Sequence, residues 1–151
     1  MPRIAGLHYE IHGRDDAHPL ILSAGLGGSA RYWEPNLAAL AERYRVIAYD
    51  HRGTGRSDRA LPETLTVEDL AGDITALMDG LDIPRAHMIG HALGGLAVLH
   101  LAASGQDRIA RAVVINGWLT LDHCTARCFD VRLRILADSG PRAYLEAQPL
   151  F

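Results

Sequence analysis

The chain has little of what several protein classes require. It holds two cysteines, Cys124 and Cys128, in 151 residues. Two cannot build a disulfide scaffold, so the chain reads as cytosolic. It has no excess of basic charge: 15 Lys+Arg stand against 18 Asp+Glu, for a formal charge of −3. Binding to a phosphate backbone needs that excess, so nucleic acid is not expected as a partner. No long hydrophobic run is present. The longest apolar stretch, Ala92 to Leu99, is far too short to span a bilayer, and no membrane partner is expected. The first 13 residues are broken by Arg3, His8, Glu10 and His12 and lack the apolar segment of a signal peptide. Aromatics make up only 6%, but the hydrophobic fraction of 48%, the charged fraction of 22% and the mean hydropathy of +0.01 describe a chain able to fill a core.

Five apolar runs read as strands. Ile4 to His12 alternates and closes at Gly13. Leu20 to Ala24, Arg45 to Tyr49, His87 to Gly90 and Ala112 to Ile115 are apolar almost throughout, as suits strands buried on both faces of a parallel sheet. Helical spacing fills the gaps. It covers Asn36 to Tyr44, Val67 to Leu81 behind a Thr66 N-cap with Asp69 three residues on, and Ala92 to Ser104 stopped by Gly105. The alternation predicts an α/β fold with a mostly parallel sheet flanked by helices. From Leu121 the pattern is helical only: Leu121 to Leu136, then a short helix opened by Pro141. That shift divides the chain into an α/β part, 1–120, and the start of a helical lid, 121–151. No internal repeat is found.

Three glycine-rich turns follow three of these strands, at the carboxyl ends where α/β sheets bind ligands. The first, Ser23-Ala24-Gly25-Leu26-Gly27-Gly28-Ser29-Ala30, admits two readings. Gly25, Gly27 and Ala30, with Asp50 ending the next strand, match a dinucleotide-binding fingerprint and imply NAD. The fingerprint should open a helix directly, but Pro35 places the helix start later. The other reading is an oxyanion loop, where glycines let backbone N–H groups approach developing negative charge. The second turn is Asp50-His51-Arg52-Gly53-Thr54-Gly55-Arg56-Ser57. The need for two positive-φ glycines accounts for Gly53 and Gly55, but not for Asp50, Arg52 and Ser57 together. The third, Gly90-His91-Ala92-Leu93-Gly94, has the frame of a nucleophile elbow, Gly-x-Ser-x-Gly, with Ala92 where the attacking residue belongs. Three accounts of Ala92 stay open: a coincidental match, a replaced serine, and a native alanine in an enzyme that works without acylation.

These turns resemble the α/β-hydrolases. Gly25-Leu26-Gly27-Gly28-Ser29 with Tyr32-Trp33, Tyr49-Asp50-x-Arg52-Gly53-Thr54-Gly55, Gly90-His91-Ala92-Leu93-Gly94, Asn116-Gly117-Trp118-Leu119, Arg127-Cys128-Phe129-x-Val131-Arg132 and Glu146 to Phe151 together resemble one subfamily, linked to pyrimidine degradation. The resemblance runs through the whole chain in order and favours a native alanine at 92. It implies an α/β-hydrolase fold whose C-terminal part, with the triad's acid and histidine, lies beyond Phe151. Asn116 ends a strand where some hydrolases place an acid, and it is not one.

The resemblance implies hydrolysis of a small C–N product of uracil ring opening. Either 3-aminoacrylate yields malonic semialdehyde and ammonia, or carbamate yields carbon dioxide and ammonia. Both proceed unaided in water, which fits an elbow without a nucleophile. Binding and an oxyanion hole alone leave roughly 10³–10⁴-fold catalysis when triad members are deleted from serine proteases. The expected donors are the backbone N–H groups of Leu26 and Leu93, with water at the reacting carbon. His91 flanks the elbow and is weighed as catalytic against packing under the loop. Arg52, Arg127 and Arg132 are candidates to hold a carboxylate, against a solvated surface role. Trp33 and Trp118 are candidates to line the pocket, against core packing. Cys124 and Cys128, one helical turn apart beside His123, could begin a zinc site, but no second pair has suitable spacing and buried thiols are the expectation. A small-molecule substrate is expected, with no cofactor or metal, and a homodimer as the assembly. A non-catalytic binding protein of the same fold is the remaining alternative.

Overall fold

A computed structural model describes residues 2–105 and 107–148. In chain order it contains β1 (Arg3–Ile4), β2 (Leu7–His12), β3 (Pro19–Ser23), a 3₁₀ turn (Ala30–Trp33), α1 (Glu34–Ala41), β4 (Arg45–Tyr49), α2 (Val67–Gly80), β5 (Ala86–His91), α3 (Leu93–Ala103), β6 (Ile109–Ile115) and α4 (His123–Ala147). The chain divides into two units, one up to Gly117 and one from Trp118 onward.

The first unit is built on a six-stranded sheet of order β1-β2-β4-β3-β5-β6. β1 and β2 are antiparallel to each other, and β2 is antiparallel to β4. The pairs β4–β3, β3–β5 and β5–β6 are parallel. The mostly parallel sheet expected from the strand–helix alternation is therefore present, and the turns after β3, β4 and β5 leave the same edge of it.

Alternation within the buried strands fills both faces. Ile21, Ile47, Tyr49 and Met88 point into a cluster with Leu70, Ile74, Leu77 and Met78 of α2 and Val98 and Leu101 of α3. Leu20, Leu22, Val46 and Ala48 point the other way, onto Trp33 and Leu37. Each fully buried Leu, Ile or Val contributes about 1.5–3 kcal/mol, which makes β3 and β4 the most strongly held strands. α2 starts where expected. Thr66 Oγ1 accepts from the Asp69 N–H at 3.1 Å, and Asp69 Oδ2 accepts from the Thr66 N–H at 2.8 Å, a complete capping box.

Some boundaries differ from the sequence reading. Ile4 to His12 is not one strand: Ala5 and Gly6 both take positive φ, 49° and 79°, and fold β1 back on β2. Alanine seldom adopts that conformation, so Gly6 is the one turn signal there, and the strand reading runs through it. α1 begins at Glu34, with Pro35 inside its first turn where a missing N–H costs nothing. β6 begins at Ile109, three residues before the apolar run.

In the second unit, α4 runs past Leu136 but breaks at Gly140, whose φ of 81° and ψ of 178° are not helical, and Pro141 opens the last stretch. The closing Pro149 to Phe151 of the family-like segment lies outside the described residues. No helix among the described residues is long and apolar enough to cross a membrane.

Candidate active site

The turn from β5 into α3 has the geometry of a nucleophile elbow. Ala92 sits at φ 47° and ψ −115°, a strained conformation for a residue with a side chain. Its N–H donates to the Ile115 carbonyl at 2.9 Å, and its carbonyl accepts from Leu96 N–H at 3.1 Å. The flanking glycines are sterically required. A Cβ on Gly94 would run into the Ser23 and Ala24 carbonyl oxygens, and one on Gly90 would meet the backbone of Gly94 and Gly95. The strand and helix therefore pass at a distance only glycine allows, and the elbow presents a methyl group.

The glycine loop after β3 meets this elbow. A Cβ on Gly25 would lie 3.5 Å from the Ala92 Cβ and 3.1 Å from His91 Nδ1. The Gly28 N–H donates to Gly25 O at 2.9 Å, and Gly27 takes φ 69°, closing a tight turn with Leu26 at its tip. The Leu26 side chain is 66% exposed. Among the described residues, neither the Leu26 nor the Leu93 backbone N–H has a hydrogen-bond partner. Leu93 also begins α3, whose dipole places partial positive charge at that end. These two N–H groups and the helix start are the donors that the turns offer to an anion.

The turn after β4 is held by buried carboxylates. Asp50, fully buried, accepts from the Ala30 N–H at 2.8 Å, the Arg56 N–H at 2.8 Å and Arg56 Nε at 3.1 Å. Burial alone would raise its pKa, but the Arg56 and Ala30 hydrogen bonds outweigh it and hold the carboxyl below its ordinary value. Arg56 also pairs with Glu10, which is likewise held low against its own burial. Ser57 Oγ accepts from the His8 N–H at 2.9 Å and donates to the Asp50 carbonyl at 2.6 Å, tying the turn to β2.

This geometry overturns the dinucleotide reading. Asp50 is committed to Ala30 and Arg56 and cannot take a ribose hydroxyl, and the glycine loop opens a 3₁₀ turn instead of a helix.

The other candidate residues are placed as follows. Arg52 directs its guanidinium onto the buried Asp73, with Nε 2.6 Å from Oδ2 and a second bond to Oδ1; the pair occupies the fork expected for a substrate carboxylate. Trp33 is 4% exposed and packs in the α1-side core, although it borders a surface groove of about 450 Å³ with Tyr32, Asn36, Ala39, Leu40, Ile89 and Ile115. Neither Ala92 nor Leu26 lines that groove. His91 stacks on the Tyr32 ring at 4.9 Å, beside Gly25. In the second unit, Arg132 donates to Tyr144 Oη and Gln148 Oε1, both at 2.9 Å, and lies over the Phe129 and Tyr144 rings. Trp118 packs against Phe129 with centroids 5.8 Å apart, and Arg127 is exposed. The expected buried thiols are not found: Cys124 is exposed and Cys128 half-buried. No group of three potential metal ligands occurs among the described residues.

Sequence reasoning missed His51 and Thr54. His51 is buried and its Nε2 donates to the Ala24 carbonyl at 2.8 Å, while the Thr54 Oγ1 proton is shared by the Gly28 carbonyl at 2.9 Å and the His51 carbonyl at 2.8 Å. Their place inside the second glycine-rich turn was the only signal available, since their side-chain bonds to the glycine loop cross 27 and 26 residues.

The family model described as alpha/beta hydrolase fold matches residues 18–150. The chain belongs to the α/β-hydrolase family. Among its relatives is a protein of Caulobacter vibrioides named as a candidate carbamate hydrolase, RutD, 50% identical over 150 residues that cover 98% of this chain and 56% of the relative. A Pantoea ananatis protein of the same name is 46% identical over 96% of this chain and 54% of its own length. The enol-lactonase of Burkholderia xenovorans LB400 superposes with a TM-score of 0.83 at 36% identity, covering 95% of this chain and 56% of that one. The chain thus spans about half the length of the curated relatives it matches.

Proposed function

We propose that this chain contributes the anion-stabilising half of a hydrolase that speeds the breakdown of a labile C–N compound, carbamate or 3-aminoacrylate, with release of ammonia. The observation that carries the reading is the elbow. The strained turn, its obligatory glycines and the Leu26 and Leu93 N–H groups, unpartnered among the described residues, are present, and Ala92 stands where an attacking side chain would be. A site of that kind suits a substrate that decomposes without covalent catalysis. The RutD relatives, named for carbamate hydrolysis, support it.

For 3-aminoacrylate, one water adds and the products are malonic semialdehyde and ammonia. For carbamate, the C–N bond breaks with uptake of a proton at nitrogen, giving ammonia and carbon dioxide. For 3-aminoacrylate, negative charge develops on the oxygen of the added water as ammonia leaves, and there the two N–H groups lower its energy. For carbamate the oxygens lose charge as carbon dioxide forms, so the N–H groups bind and orient the anion instead. Water or solvent protons supply the remaining atoms, so Ala92 needs no hydroxyl. In the second unit, the exposed Arg127, together with Arg132, which donates to the neutral Tyr144 and Gln148 side chains, is proposed as a carboxylate contact on the resemblance alone, and Trp118 as an apolar one. Arg52 is left out because Asp73 engages it. His91 is assigned to packing through its Tyr32 stack.

A second reading, a binding protein without catalysis, is favoured by the same Ala92. Ammonia release from 3-aminoacrylate and from carbamate, measured for the natural gene product against the spontaneous rates, separates the two. Acceleration of either substrate supports the hydrolase. Saturable binding of a substrate with no acceleration establishes the binding protein instead.

A further inference from the structure

The loop with Leu26 at its tip consists mostly of glycine and small residues, which gives it little side-chain packing of its own. Its hold comes from the turn after β4. Ala24 O accepts from His51 Nε2 at 2.8 Å, and Gly28 O accepts from the His51 N–H at 3.3 Å and shares the single Thr54 Oγ1 proton, 2.9 Å away, with the His51 carbonyl at 2.8 Å. The Ala30 N–H donates to Asp50 Oδ1 at 2.8 Å. Three bonds from residues 50–54, and a shared one from Thr54, thus reach carbonyl or N–H groups at Ala24, Gly28 and Ala30.

We infer that His51 is a positioning residue: with Thr54 and Asp50 it clamps the 24–30 loop so that the Leu26 N–H stays aimed beside the elbow. This rests on the hydrolase reading for its catalytic consequence, but not for the clamp itself. Ala24 O can only accept, so Nε2 carries the proton and Nδ1 is a lone pair. His51 Nδ1 is buried with no partner among the described residues. A buried unpaired nitrogen is a cost that a plain packing residue would avoid, and the bond to Ala24 is what the imidazole offers in return. The ring is further fixed by the edge of Tyr49 at 5.1 Å, and Tyr49 Oη shares a 2.8 Å hydrogen bond with Ser23 Oγ at the end of β3. The neutral ring therefore links the ends of β3 and β4 at the place where the loop departs.

The test uses the natural gene product as wild type, H51L, H51Q and T54V. Leu removes the donor at similar size, and the Gln amide can place an N–H near the Nε2 position. Two quantities are measured: hydrogen exchange of the residue 25–30 amides, and the kcat and KM of ammonia release. H51L is expected to speed exchange across the loop and to lower kcat about 10- to 100-fold with KM within about twofold, the cost of misplacing a stabilising donor. H51Q is expected to restore both. T54V, which keeps the ring's own bond to Ala24 but removes the hydroxyl shared by the Gly28 and His51 carbonyls, is expected to move both the same way by less, and it carries the test if H51L does not fold. Unchanged loop exchange in the folded variants overturns the clamp. Equal loss in H51L and H51Q also overturns it, because ring shape and not the N–H would then hold the loop. A wild type that releases no ammonia above background rejects the hydrolase reading, and the exchange data still decide the clamp.

Discussion

Ala92 holds a backbone conformation that costs about 1–3 kcal/mol and returns no packing advantage, since its side chain is a single methyl group at φ 47°. A fold that keeps this turn without a nucleophile is using its other product, the free N–H groups beside it. Ala92→Ser is therefore expected to leave ammonia release from a labile substrate within about twofold of wild type; a gain of about tenfold or more would show that acylation had been the missing element. His51 permits a prediction about stability. Burial lowers its pKa from 6.5, against the raising effects of the Ala24 bond and of Asp73 and Asp50. Below 6.5 the unfolded chain takes up a proton that the folded chain refuses, so the neutral ring's contribution is complete above that value and is lost as pH falls toward the lowered folded pKa. The free energy of unfolding of wild type minus that of H51Q should shrink between pH 7 and pH 5 in urea titrations. A difference that stays flat or grows on acidification would be incompatible with a buried neutral imidazole.

Elements differ in how tightly they depend on glycine. Gly94→Ala at the start of α3 would press a methyl group into the Ser23 and Ala24 carbonyls, which are backbone and cannot swing aside, and is expected to cost about 3 kcal/mol. Gly72→Ala on the exposed side of α2 meets nothing within 4 Å and should gain about 0.5–1 kcal/mol from helix propensity. Thermal unfolding of the two variants should move in opposite directions, and a harmless Gly94→Ala would contradict the close strand–helix passage. The same contrast explains what could be read from the sequence. The elbow was legible because its glycines and its vacant centre follow from local steric need. α2 was legible because Thr66, Asp69 and the apolar spacing agree. The β1–β2 turn rested on a single signal, Gly6, beside an alanine at positive φ, and the start of β6 was hidden by Arg108 and Arg111 around its first residues. The Arg52–Asp73 pair and the His51–Ala24 bond join residues 21 and 27 apart, and no spacing rule reports such partners.

Across the whole molecule, burial is uneven. Among the described residues the buried hydrophobic ones all lie in the first unit, whereas α4 has no fully buried residue and leaves Leu133, Leu136 and Leu145 exposed. A helix gains most of its stability from packing an apolar face, and propensity alone barely holds one together in water. Gly140 weakens α4 further by interrupting its hydrogen bonds at one point. Opening of α4 should therefore cost much less free energy than opening of β3, β4 or β5, whose side chains fill both faces of the sheet. Native-state hydrogen exchange of this 151-residue chain is expected to show amides 123–147 exchanging first, with Ile21, Leu22, Ile47 and Ala48 among the slowest. Protection in α4 equal to that of β4 would mean that its apolar face is covered in solution. If the residues proposed to hold the substrate, Arg127 and Arg132, ride on so weakly held an element, substrate binding should slow exchange in 123–147 more than anywhere in the sheet. Slowing confined to 24–30 and 90–96 would instead place all substrate contacts of this chain on the elbow and the glycine loop.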